Sequence, residues 1–213
     1  MKLFPSAALA TICILSGSAH AAVNIISGNL YKVPEIITLN AVPSNVPVTP
    51  PDVTFDVQSP FNFTGTGVTV ATWLASSSAF NITENTPGTL ASLMDNGITG
   101  TLLDFNGFVS VTNGQTFTVT HDDGLSLIIG GLDLNFNPGP TAPITSIATY
   151  TGPSGTFPFE LVYTECCGGP AVLQLDLPLS NTGNVPEGGS TFALLMGSVL
   201  ATGVAARRFR RNS

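Results

Sequence analysis

The residues with most chemical scope stand together in "TVTHDDGLSL", where His121, Asp122, Asp123 and Gly124 lie between two runs of alternating apolar residues. A histidine beside a carboxylate is half of a catalytic triad, and paired carboxylates are the working groups of glycoside hydrolysis. Neither arrangement is completed nearby. The chain has no G-x-S-x-G nucleophile turn, no phosphate-binding P-loop, no dinucleotide fingerprint and no H-E-x-x-H. A polar turn residue is the commoner role for a histidine in this setting, and Asp-Gly between alternating strands is a hairpin signal by itself. No catalytic residue is nominated, so the sequence reads as a non-enzyme. A glycoside hydrolase is the least supported of the functional classes.

The second reactive pair is Cys166-Cys167, in "YTECCGGPAVL". Neighbouring Cα atoms lie about 3.8 Å apart across a trans peptide. Ordinary disulfides span about 4.4–6.8 Å, so a vicinal bridge is tight but feasible, and an oxidising compartment permits it. Two free thiols or an intermolecular bridge are the other choices. Adjacent cysteines lack the ligand spacing of a zinc site, and His121 would be the only histidine once a signal peptide is removed.

The elements that must position these residues are β-like. In "QTFTVT", Phe117 and Val119 share one face while Thr116, Thr118 and Thr120 share the other. Phe157, Phe159, Leu161 and Tyr163 alternate in "FPFELVY", as do Ala171, Leu173, Leu175 and Leu177 in "AVLQLDL". "VTFDV" and "GVTVATWL" are dense in β-branched and aromatic residues and read as further strands. The proline-rich stretch from Val23 to Pro51 reads as edge strands and loops. One short helix is expected at "GTLASLMDNG", with Leu90, Leu93 and Met94 inward and Gly97 ending it. The fold expected is mainly β, an antiparallel β-sandwich with at most one short helix.

The strand–Asp122-Asp123-Gly124–strand run, ending in a Gly pair, resembles the protective-antigen-type β-sandwich domain of toxins, adhesins and glycosidases. The resemblance extends from about Thr89 to Leu177, and "FPFELVY…AVLQLDL" occupies the place of that family's later strand pair. It implies that Asp122 and Asp123 ligate calcium, which in turn holds carbohydrate hydroxyls. Calcium takes about six to eight oxygens, so two carboxylates need further donors. Asp133, Asn135 and Asn137 are nearby in sequence and carry oxygens.

Composition narrows the partners. Only 9% of the residues are charged while 43% are hydrophobic, which suits a β-rich extracellular domain better than a soluble helical one. Twelve of the thirteen carboxylates lie between Ala22 and Asn184, with Lys32 the single basic residue there, leaving eleven net negative charges. That field repels phosphate backbones and argues against a nucleic-acid partner.

The ends of the chain read as an export route. Residues 1–21 have a basic start at Lys2, a short apolar core and an A-x-A pattern at Ala19 and Ala21, as a signal peptide does. An exported domain over 22–184 would follow. At the other end, 191–206 is an uncharged run of 16 residues followed by Arg207, Arg208, Arg210 and Arg211. As a helix it would span about 24 Å, marginal for a membrane unless the arginines snorkel to the cytoplasmic face.

Val185-Pro186-Glu187-Gly188-Gly189, then an apolar helix, then an Arg-rich terminus, resembles the C-terminal sorting signal of PEP-CTERM proteins. Gly188 replaces the usual proline, which brings the motif nearer to the V-P-D-[GS]-G variants. The resemblance implies a tether at 185–213 that an exosortase-type membrane protease removes, and a final place at the cell surface, associated with extracellular polysaccharide. Pro186 and the two glycines would keep the motif extended and accessible. The functional reading is an exported surface or matrix protein with a structural or interaction role. A calcium-dependent carbohydrate-binding module is the alternative.

Overall fold

The structure is a computed structural model that describes residues 25–180. The expected signal peptide, the 185–189 motif, the helix at 191–206 and the arginine cluster lie outside the described residues. Among the described residues no helix is long and apolar enough to cross a membrane.

The strands are β1 (Ile25–Pro34), β2 (Val53–Gln58), β3 (Phe61–Thr66), β4 (Phe80–Glu84), β5 (Thr99–Val111), β6 (Thr116–Asp122), β7 (Leu125–Ile129), β8 (Leu132–Asp133), β9 (Ile144–Thr149), β10 (Gly155–Glu165) and β11 (Pro170–Leu175). Two short helices, α1 (Glu35–Thr38) and α2 (Val70–Ser76), interrupt them. One sheet has the order β4-β2-β1-β5-β10-β7-β8 and the other β3-β11-β6-β9. Every pairing is antiparallel. The inward faces meet in one core, with Phe55, Phe105 and Leu161 from the larger sheet against Phe63, Phe117 and Leu173 from the smaller. The expected sandwich of two antiparallel sheets is what the chain forms, and the alternations in "QTFTVT", "FPFELVY" and "AVLQLDL" each put their apolar set inward.

Three expectations about elements need correction. β1, inside the proline-rich stretch, is a central strand flanked by β2 and β5 rather than an edge. Its only proline, Pro34, stands at its last position, so the ladder loses no donor in the middle. Gly28 in β1 leaves the space that the Phe55 ring fills, since a Cβ there would fall 2.4 Å from Phe55 Cζ.

"GVTVATWL" is not a strand. The Thr69 side chain accepts the Thr72 N–H and caps α2, whose Val70, Trp73 and Leu74 all point into the core. That is helical spacing, and the β-branched residues around it conceal it. α2 lies along the free edge of β3, where the Ser76 and Ser77 hydroxyls accept the Thr64 and Asn62 backbone N–H groups at 2.9 Å each. An otherwise open sheet edge is closed by side chains.

"GTLASLMDNG" is a series of turns rather than the expected helix. Its N–H groups are taken by partners outside a helical ladder: Leu90 bonds the Glu84 carboxylate and Met94 the Val68 carbonyl. Met94 is buried, but Leu93 is exposed.

The larger sheet is covered on its outer face as well. Tyr31, Val33, Leu102 and Val162 pack there with Ala41, and Ile37 and Val46 close over them. The segment from α1 through the turn at Pro43–Asn45 is therefore a lid on this sheet, pinned by Ala41 N–H to the Pro138 carbonyl at 2.8 Å. This is why β5 and β10 are buried on both faces at the end that carries the site.

Candidate functional site

Asp122, Asp123 and Gly124 do not form a hairpin. β6 belongs to the smaller sheet and β7 to the larger, so these residues carry the chain from one layer to the other. The same is true of residues 166–169 between β10 and β11. The two crossings lie side by side: Asp123 N–H donates to the Thr164 carbonyl at 3.3 Å, and Thr164 N–H donates to the Gly124 carbonyl at 3.0 Å. Gly124 is required by this approach. A Cβ there would fall 2.1 Å from the Pro138 carbonyl oxygen and 2.7 Å from Thr164 Oγ1.

The two carboxyls are both buried yet differently held. Asp123 Oδ2 accepts the Cys166 N–H at 2.8 Å and Oδ1 accepts the Thr141 N–H at 3.1 Å. Asp122 has its oxygens toward the second crossing, with Oδ2 3.9 Å from where a Cβ on Gly169 would stand. The peptide between the two residues is cis.

Burial, then the Asp123 charge and a hydrogen bond between the two carboxyls, push Asp122 up to about 7. Burial also raises Asp123, while the Cys166 and Thr141 N–H groups and the bond to Asp122 pull it back. Both carboxyls are thus raised, and Asp123, which accepts two backbone N–H groups, is the better placed of the two to carry negative charge.

Around the pair lies a network of buried polar groups. The Tyr163 hydroxyl donates to the Asp122 carbonyl oxygen and lies 3.0 Å from Glu165 Oε2. Glu165 is pushed up to about 9, first by burial and then by the Asp123 charge. His121 is not the polar turn residue expected from the sequence: it lies in β6 and is fully buried. Its Nδ1 lies 2.6 Å from the Asp123 carbonyl oxygen and its Nε2 3.4 Å from Ser146 Oγ. Burial lowers its pKa. A neutral ring with both nitrogens engaged orients the backbone at Asp123.

A small pocket of about 60 Å³ is lined in part by Asp95, Glu165, Gly168 and Gly169, while Asp122 and Asp123 are not among its lining residues. Its volume is room for roughly two waters. Asp95 reaches the second crossing too, accepting the Gly168 N–H at Oδ2 at 2.9 Å. Cys166 and Cys167 are joined by a vicinal disulfide, with Cα atoms 3.8 Å apart. Asp133, Asn135 and Asn137 each serve a local turn instead: Asp133 Oδ1 accepts Asn135 N–H, and Asn137 Oδ1 accepts Gly139 N–H. Sequence reasoning missed Glu165 and Asp95. Each looks like any other scattered carboxylate until the crossings bring them together.

The donor set suits a hard cation in one respect and limits it in another. It is all oxygen, and its negative charge has no cation within the pair to neutralise it; a proton serves instead. Among the described residues, however, no group of three or more His, Cys, Asp or Glu converges on one point. Two carboxylates would be the whole of the charged set. An ion needing about six to eight oxygens would have to take most of them from backbone oxygens, water or a ligand's hydroxyls.

No protein-family model matches the chain, and no curated protein matches it. Solved structures that are similar include the following two. One is described as the PA14 domain of MpAFP antifreeze protein, with 19% identity over 79% of this chain and 90% of that one and a TM-score of 0.49. The other is described as a PA14 sugar-binding domain from RTX adhesin, with 18% identity over 77% of this chain and 93% of that one and a TM-score of 0.49.

Proposed function

We propose that this chain is an exported surface protein whose sandwich carries a calcium-dependent carbohydrate-binding site at Asp122 and Asp123. One observation carries the reading: two adjacent buried carboxyls, Asp122 and Asp123, are set where two inter-sheet crossings meet. A proton held between two carboxyls at a pKa of about 7 is displaced by a divalent cation at neutral pH. When bound, the ion would offer its open positions to vicinal hydroxyls of a sugar. Asp123, fixed by two backbone N–H groups, and Asp122 would be the residues that hold the ion. The strand–Asp-Asp-Gly–strand resemblance supports the same assignment. The role is binding, without turnover of the glycan.

The export route supports a surface location. In this reading the chain is tethered by 191–206, cleaved within Val185–Gly189 by an exosortase-type protease, and left at the cell surface beside its polysaccharide.

Two measurements test these statements. Full-length protein on a glycan array should bind with calcium and lose binding in chelator; absence of binding, or indifference to chelator, removes the site assignment. C-terminal peptide mapping by mass spectrometry of protein from its native envelope should find an end within Val185–Ser190. Recovery of the intact "ARRFRRNS" end would mean a permanent anchor and no sorting.

A further inference from the structure

β9 is the open edge of the smaller sheet. Short strands, charges, bulges and covering segments are the devices that keep sheet edges from pairing. The other edges among the described residues each have one. The larger sheet ends in β4, which shifts register against β2 and closes on Glu84, and in β8, which is two residues long and includes Asp133. The β3 edge is taken by the Ser76 and Ser77 hydroxyls. β9, Ile144–Thr149, has none of these: its six residues hold no charge and no proline, and its pairing with β6 runs without a shift.

The direction of its free backbone groups follows from one bond at its end. Tyr150 N–H donates to the Gln115 carbonyl at 2.8 Å, and antiparallel strands exchange such bonds at every second residue. Ile144, Ser146 and Ala148 therefore bond to β6, opposite His121, Val119 and Phe117. The N–H and C=O groups of Thr145, Ile147 and Thr149 point to the open edge, and none has a backbone partner among the described residues. Ile147 lies opposite Thr118 on the outer face of the sheet and is 70% exposed.

We infer that β9 is a self-association edge, pairing antiparallel with β9 of a second copy across a two-fold axis at Ile147. That register sets Ile147 opposite its own counterpart and Thr145 opposite Thr149 of the second copy. Each pair exchanges two N–H to C=O bonds, so every free group on the edge is satisfied in both chains. A slip of one residue would leave those groups facing ones already bonded to β6. The symmetric contact closes on itself and stops at a dimer. The two Ile147 side chains meet on the outer face, with Cα atoms about 5.5 Å apart. Charge selects this edge for a like partner. The stretch 22–184 carries eleven net negative charges, so two copies repel over most of their surface. Between Asp133 and Glu160 the chain has no charged residue, and β9 is where two copies approach at least cost. The contact needs neither calcium nor glycan.

Six residues of edge and one aliphatic pair make a small interface, in the range of weak contacts. The test uses the full-length chain in a non-ionic detergent, which keeps the apolar run at 191–206 from driving association. Sedimentation equilibrium should show monomer and dimer in a balance set by concentration. Ile147→Lys and Ile147→Glu each place like charges face to face at the axis. Both should melt with the parent, since the side chain is exposed, and both should weaken dimerisation about tenfold or more. Mixing the two variants should restore it, because opposite charges then meet. Amide exchange at Thr145, Ile147 and Thr149 should slow as the parent is concentrated, while exchange at Ser146 and Ala148 stays constant.

A chain that stays monomeric at millimolar concentration overturns the self-association edge. Dimerisation indifferent to both single variants also overturns it, because another surface, 191–206 included, would then carry the contact. A mixture that associates no better than either variant alone rejects the axis at Ile147. Slowed exchange along the edge only when a different protein is added would assign β9 to a foreign strand in place of a second copy.

Discussion

The Tyr163 hydroxyl donates its hydrogen bond to the backbone carbonyl of Asp122, tying the last turn of one sheet crossing to the inward face of β10. A phenol has one proton to give. Its contact at 3.0 Å with Glu165 Oε2 is therefore one in which a neutral Glu165 donates, in agreement with a carboxyl pushed up to about 9. The site rests on protonated acids, and its stability should depend on pH in a definite direction.

Asp122 and Glu165 have ordinary values of 3.8 and 4.5 and are raised to about 7 and about 9, so the folded chain holds protons that the unfolded chain releases. Their contribution is complete below the unfolded values and is lost as pH rises through the folded ones. His121, lowered by burial from 6.5, acts oppositely below that value, and Lys32, lowered to about 8, acts oppositely above 8. Between pH 6.5 and 8 the carboxyls decide. Thermal unfolding in chelator should give a lower Tm at the upper end of this window, and saturating calcium should narrow the gap. An equal or higher Tm at the upper end would contradict the proton-sharing arrangement.

The two aspartates should respond differently to the same substitution. Asp122→Asn keeps a donor beside Asp123, so the amide can bond Asp123 as the acid did. It should fold normally, flatten the pH dependence and abolish calcium binding. Asp123→Asn sets an NH2 against one of two backbone N–H groups that the carboxylate accepts. An unsatisfied buried group costs about 1–3 kcal/mol, so this variant should melt lower even without calcium. Paired calorimetric scans in chelator distinguish the two, and equal loss from both would refute the asymmetry.

Gly124 is the steric pivot of the site. Gly124→Ala would force a methyl to within 2.1 Å of the Pro138 carbonyl, a backbone atom that cannot move alone. Overpacking of this kind costs about 1–3 kcal/mol. Calcium binding should weaken as well, because Asp123 adjoins the displaced backbone. Gly139→Ala, with its nearest neighbour 3.5 Å away, is the control and should melt within error of the parent. Comparable Tm values for the two variants would show that the crossing is looser than the geometry states.

What was legible in the sequence was periodicity over long runs. β6, β10 and β11 carry a period-two alternation, interrupted at Val162 and Val172, that makes most of their inward residues readable without coordinates. The Asp pair was visible too, as a chemical type in a turn-like place. The support of that pair was not legible: the N–H that holds Asp123 comes from a residue 43 positions later, and every residue type supplies a backbone N–H. His121 was misread because its outward-looking turn is a layer crossing, a distinction carried by sheet order and not by local composition. α2 was missed since Val68 and Val70 mimic a strand until Thr69 is seen to cap Thr72.

Trp73 gives the last prediction, because it connects α2 to the site through the core. Its ring stacks on Phe63 at 4.2 Å with 10° between planes, and on Tyr163 at 5.8 Å with 9°. Its Nε1 donates to the Ala171 carbonyl at 3.1 Å, just beyond the Gly168-Gly169 crossing. Trp73→Ala removes both stacks and leaves that carbonyl unpaired, at a cost of about 3–5 kcal/mol. Trp73→Phe keeps the ring contacts but not the donor and should cost clearly less. Tyr163, freed on one face in the alanine variant, no longer holds the Asp122 carbonyl firmly, so residual calcium affinity should fall with stability. Denaturant unfolding followed by circular dichroism measures the first effect and calcium titration the second. A Trp73→Ala protein that is weakened in stability but binds calcium as the parent does would separate core from site and break the proposed connection.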